Sequence, residues 1–381
     1  MISADYYYTK EFKELLNKYE TCEHEQETCV FCSTEYCCLA SYYYFSDKTE
    51  KALSVLNEGL SFYPDSVDML VLKIHVLLKQ HKNTEEIRTM LEEHELMDED
   101  ARSYVSSFLL ITDKRYKEAN NAFKKVYKEM PLEAEEKDAQ ALSIAWAFYH
   151  AGQYNYARYW MEKVKNHDKN DYLELYGHII LAEGKFVKSE KVFQKLIDKN
   201  PHVARYWEGL AHSQYGSEKF SEASTNCDYA LAINPEDEVA LFLKGNIMFM
   251  MDNYPEALKF FKRYSQQLPD DGGCLYYQAK CLLEMEKEKE ALDALLESSR
   301  LLEKYPEYRV VVPLYYVYRD IALLLEADGK YEEALSFVDK IDDHEGNKLE
   351  LMLMRSRLRL EVKYASKLKK EFEDEAEEED Q

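Results

Sequence analysis

His178 and His212 stand 34 residues apart, and each follows a glutamate by four positions, Glu174 and Glu208. On a helix that spacing puts carboxylate and imidazole on one face, the pairing that acid–base chemistry or metal ligation uses. A second group lies near the N-terminus. There Cys22, His24, Cys29 and Cys32 supply C-x-H and C-x-x-C, four donors of the kind Zn²⁺ takes tetrahedrally. Both groups also have a plainer reading. A metal needs three or four ligands within bonding distance, whereas equivalent residues on neighbouring packed helices stand roughly 10 Å apart. Glu174, His178, Glu208 and His212 therefore read as the polar lining of a helical face. The cysteine spacings match no zinc-module signature, and buried or free thiols in an N-terminal cap are the expectation. No Gly-rich phosphate loop, G-x-S-x-G elbow or H-E-x-x-H pair occurs. No catalytic residue, resident metal or cofactor is assigned.

The elements that would carry these residues follow from composition. With 11 Gly and 8 Pro in 381 residues, the chain has too few breakers for the turns of an all-β fold, and the expected class is all-α. A hydrophobic content of 46% suffices for a packed core. No apolar run is long enough to cross a membrane, and Met1 to Phe12 carries no signal-peptide pattern, so a cytoplasmic location is expected. The 8 Cys are scattered through a core-rich chain, which argues for reduced thiols over a disulfide framework. A net charge of -24 repels polyphosphate, so neither nucleic acid nor an anionic membrane is an expected partner.

Self-similarity supplies the architecture. Pro201, Pro235 and Pro269 recur at 34 residues, and Pro64 and Pro131 lie close to twice that interval apart. Between them an aromatic is followed three residues later by a small residue: Tyr116 and Ala119, Tyr154 and Ala157, Phe186 and Ser189, Phe220 and Ala223, Tyr254 and Ala257, Tyr331 and Ala334. The ring fills the space between two helices, and the small residue lets their backbones approach. Upstream lies a second apolar helix, clearest where Trp207, Leu210 and Ala211 share a face, with Gly177 and Gly245 at the position of Ala211.

A 34-residue helix-turn-helix with W-x-x-L-A, then F-x-x-A and N-P, resembles the tetratricopeptide repeat. Residues 204–237 carry it best, 170–203 and 238–271 match in register, and weaker copies start near 33, 67, 100, 138, 272 and 315. The resemblance implies a right-handed superhelical solenoid of stacked antiparallel helix pairs, about nine units over 33–341, with a concave groove lined by the first helix of each pair. It implies an N-terminal capping helix and Cys-containing segment over 1–32 and a C-terminal capping helix over 342–370, and the run of acidic residues that follows reads as an acidic tail over 371–381. Three junctions depart from the pattern, near 67–98, 138–169 and 300–315.

In the implied register the groove residues are Tyr104, Phe108, Trp146, Glu174, His178, Glu208, His212, Phe242, Asn246, Tyr276 and Lys280. Aromatics beside a few polar groups suit an extended peptide or a partner helix. Where some family members place cations that clamp a C-terminal carboxylate, Glu208, Leu243, Gly273 and Tyr277 stand instead, so that mode is disfavoured. The expected function is a noncatalytic scaffold or adaptor that binds a peptide or partner protein. The alternative is a regulatory or sensor protein in which the groove or the Cys-rich N-terminus takes a small ligand or metal.

Overall fold

The computed structural model describes residues 6–7, 9–25, 29–46, 48–80, 85–93, 99–129, 132–306, 312–341 and 348–379. Pro131, used in reading the sequence, lies outside them. The described residues form helices and no strands. After α1 (Lys10–Glu25) come nine helix pairs. They are α2 (Ser33–Phe45) with α3 (Thr49–Phe62), α4 (Val67–Lys79) with α5 (Glu85–Glu93), α6 (Glu99–Thr112) with α7 (Tyr116–Glu129), and α8 (Ala134–His150) with α9 (Tyr154–Met161). Next are α10 (Asn170–Ala182) with α11 (Phe186–Lys199), α12 (Ala204–Gly216) with α13 (Phe220–Ile233), and α14 (Glu238–Met250) with α15 (Tyr254–Gln267). The last pairs are α16 (Gly272–Glu284) with α17 (Glu288–Lys304) and α18 (Leu314–Ala327) with α19 (Tyr331–Asp339), followed by α20 (Lys348–Glu379). No described helix is long and apolar enough to cross a membrane. The chain divides into two compact units, Met1–Leu243 and Lys244–Gln381, with the division inside α14.

The repeat chemistry explains the pairs. Ala119, Ala157, Ser189, Ala223, Ala257, Ala291 and Ala334 are all fully buried, as residues at a close helix crossing must be. In the first unit Phe193 of α11 fills the space left by glycines on two first helices. A Cβ on Gly177 would stand 2.9 Å from its ring, and one on Gly209 would overlap it. From α6 onward each pair turns through one left-handed residue, and Gly184, Glu218, Asp252 and Glu286 hold that conformation at 34-residue intervals. At Gly184 (φ 73°) the turn closes by Gly184 N–H donating to the Leu181 carbonyl and Lys185 N–H to that of Ile180. Asn200 and Asn234, just before prolines, end α11 and α13 in extended backbone, the region a following proline enforces.

The junction after α9 lacks a proline and is closed differently. Buried Asp138 of α8 accepts the backbone N–H groups of Lys165 (2.9 Å) and Asn166 (3.0 Å), while Val164 and Leu175 join the core shared with α8 and α9. The helix pairs therefore continue through 138–169. In the second unit α20 buries one face. Leu351, Met354 and Leu358 are buried, whereas Leu349, Met352, Leu353 and Leu360 are exposed. The buried residues follow one helical phase, and Arg355 beside them donates to the carbonyls of Val338 and Ile341. The helix runs on to Glu379, past the boundary at 370 where the acidic segment was set apart.

Candidate partner-binding face

Within the first unit the first helices meet through side chains far apart in sequence. Tyr44 Oη of α2 lies 2.7 Å from His150 Nε2 of α8, across 106 residues. His150 stacks on Trp146 at 5.4 Å, and Trp146 and Tyr149 each lie 5.9 Å from the ring of His178 on α10. His75 of α4 stands edge-on to Phe108 of α6 at 5.5 Å, with its Nε2 3.0 Å from Ser143 Oγ of α8. Glu174 of α10 pairs with Arg205 of α12, whose guanidinium carbon sits 4.3 Å over the ring of Phe45 on α2.

Burial sets the charge of this wall. It pushes His75 and His178 down to about 3 and His212 to about 4, with the neighbouring His212 adding to the effect on His178. All three are neutral rings at pH 7, too weakly basic to hold a proton there. Burial also pushes the Glu174 carboxyl up, and Arg205 offsets part of that rise. Glu174 is thus engaged with a guanidinium on the next first helix.

The eleven groove residues separate by burial. Phe108 has no exposed surface, and Tyr104, Trp146, Glu174 and Glu208 are buried with it, so these five form the wall between first helices instead of a free surface. His178, His212 and Phe242 are half-buried. In the second unit Asn246, Tyr276 and Lys280 are half-buried too. Tyr276 Oη donates to Asp320 Oδ2 at 3.2 Å, Lys280 Nζ lies 3.4 Å from the same oxygen, and Arg319 binds Oδ1 at 2.9 Å.

The named residues are the fifth and ninth positions of their repeats. Carried back to the repeats starting at 33 and 67, the same register gives Cys37, Ser41, Val71 and His75, which the sequence reading passed over because those repeats match the pattern weakly. All four line one cavity of about 470 Å³. Its walls are α2, the first three turns of α4, Tyr104 of α6, and α8 from Glu136 to Ser143. Beside it α4 packs against both α6 and α8. A cavity of this size suits a small molecule or a few residues of a peptide.

The N-terminal cysteines overturn the expectation of reduced thiols. Cys22 and Cys29 form a disulfide joining the end of α1 to the segment before α2, so neither sulfur is free to bind zinc and the thiols are not all reduced. His24 and Cys32 are exposed and unconnected to that bond. Among the described residues no three His, Cys, Asp or Glu side chains are placed to hold a metal ion. Burial pushes the Cys38 thiol up to about 11 and that of Cys37 to about 12, leaving both protonated.

Residues 216–298 match the family model described as anaphase-promoting complex, cyclosome, subunit 3. Protein FlbA of Caulobacter vibrioides is 31% identical over 111 residues, a match covering 29% of this chain and 18% of that protein. Among solved structures, MamA from Desulfovibrio magneticus RS-1 (residues 41 to end) aligns at 14% identity and a TM-score of 0.40, covering 45% of this chain and 93% of that one. TTC0263, a thermophilic TPR protein of Thermus thermophilus, aligns at 17% identity and a TM-score of 0.40, covering 45% and 95%.

Proposed function

We propose that this chain, a tetratricopeptide-repeat protein, is a noncatalytic scaffold that holds a peptide segment of a partner protein against the first helices of its N-terminal unit. The observation that carries this reading is the 470 Å³ cavity among α2, α4, α6 and α8, lined by the fifth and ninth positions of successive repeats. Helical repeats supply extended surfaces for protein partners, and the repeats occupy most of this chain. The acidic balance of -24 disfavours nucleic acid. Farther along the same wall the side chains are engaged with one another, as Glu174 is with Arg205, which favours the open cavity as the docking point.

The test is a bulky residue at the mouth. Ala139 is exposed on α8 and lines the cavity, so Ala139→Trp fills the opening without entering the core. Partner recovered by the wild-type chain and lost with Ala139→Trp, at an unchanged melting temperature, supports the reading. Equal recovery by both proteins removes it. A second reading, a sensor that takes a small ligand in this cavity, is favoured by the cavity's volume alone. It expects a melting shift on ligand addition that Ala139→Trp abolishes, with partner recovery unaffected by the substitution.

A further inference from the structure

We propose that the cavity among α2, α4, α6 and α8 receives a basic side chain, lysine or arginine, from the bound partner segment. This inference rests on the scaffold reading above and specifies what the site recognises.

The lining contains no Lys or Arg and carries two carboxylates, Asp68 and Glu136, both on exposed positions at the rim. Deeper in the cavity the lining offers an acceptor. His75 is 3% exposed, its Nε2 is engaged with Ser143 Oγ, and its Nδ1 has no hydrogen-bond partner. A buried polar atom without a partner is costly, and a ligand that donates to it removes that cost. Between rim and floor, Val67, Val71 and Leu72 give an apolar passage. An apolar passage with acceptors at its ends matches a long methylene stem ending in a donor-rich cation.

One effect opposes this. The starts of α2, α4 and α8 all border the cavity, and a helix N-terminus favours anions through a partial charge of about +0.5. Three such ends sum to about +1.5. Each already has a carboxylate in its first turn. Glu35 accepts the Cys32 N–H at 2.7 Å, Glu136 accepts the Glu133 N–H at 2.9 Å, and Asp68 sits in the first turn of α4. Three full negative charges outweigh the partial positive ones, and the net charge of -24 adds long-range attraction for a cation.

The probes are four acetylated, amidated peptides in which a central arginine, lysine, leucine or glutamate is flanked on each side by three alanines, with agmatine as a free guanidine. Binding to the full-length protein is read by saturation-transfer NMR and titration. The Arg and Lys peptides are expected to bind at least 10-fold more tightly than the Leu and Glu peptides and than agmatine. Asp68→Asn and Glu136→Gln, both at exposed positions, are each expected to weaken the Arg peptide at least 3-fold, and Ala139→Trp to abolish its binding. Binding of the Leu or Glu peptide as tight as the Arg peptide, and blocked by Ala139→Trp, overturns the basic-side-chain inference while leaving the peptide-binding reading standing. Agmatine bound as tightly as the Arg peptide assigns the cavity to free amines and overturns the inference. No binding by any peptide removes both.

Discussion

His75 shows how burial shapes a single side chain in this wall. Its pKa falls to about 3 in the folded chain from 6.5 in the unfolded one, so the unfolded state takes up a proton first as pH drops. The stability this group contributes is complete above pH 6.5 and is lost progressively as pH falls toward 3. At pH 5.5 the loss from His75 alone is about 1.4 kcal/mol. Urea unfolding at pH 7.5 and 5.5 checks this: stability falls at the lower pH, and His75→Gln narrows the difference by about that amount. An unchanged difference would place the proton uptake elsewhere. The same pairing of burial with a neutral ring keeps His178 and His212 from acting as cations at neutral pH, whatever their spacing from Glu174 and Glu208.

At the scale of elements, the glycines divide by what they do. Gly184 is needed for its backbone, since a Cβ there meets nothing within 4 Å but φ is 73°. Gly184→Ala should cost about 1 kcal/mol through the left-handed conformation alone. Gly209 is needed for space. Gly209→Ala drives a methyl into Phe193, should cost about 1–3 kcal/mol, and should be partly rescued by Phe193→Leu, whereas Gly184→Ala should not. Thermal or urea unfolding of the four variants separates the two mechanisms. The disulfide gives a further check. Under oxidising conditions, maleimide labelling of the unfolded, unreduced chain should modify six of eight cysteines, and all eight after reduction.

These elements were largely legible beforehand. Proline spacing and the aromatic-to-small pairs mark the helix ends and crossings because they are local devices, and helix starts at 170, 204, 238 and 272 follow from that period. The site was legible only in part. The fifth and ninth positions follow from the repeat period, but whether Phe108 or His178 faces solvent depends on how neighbouring first helices pack, and no local pattern records that packing. His75 was missed because its repeat lacks the aromatic-to-small pair that fixes register in the others. The Cys22–Cys29 bond was missed because two cysteines in a chain without other disulfide signals do not announce which sulfurs approach.

For the whole molecule, the governing property is net charge. At -24 the chain repels itself, and the repulsion acts over about 30 Å at 0.01 M salt but about 8 Å at 0.15 M. Raising sodium chloride between those concentrations should raise the melting temperature by several degrees. The same addition should weaken a bound basic peptide. Calorimetry and titration across the series would show stability and affinity moving in opposite directions, and a parallel change would contradict the charge argument.

The contact between Tyr44 and His150 bears on how the first unit assembles. In a simple array each repeat touches its neighbours, so folding nucleates anywhere and propagates one repeat at a time. Here the first repeat is joined to the fourth through Tyr44 and His150 and to the sixth through Phe45 and Arg205, closures that require distant segments to be ordered together. Loop entropy must be overcome before those contacts return anything, which slows folding and makes the six repeats before α14 unfold as a group instead of fraying from one end.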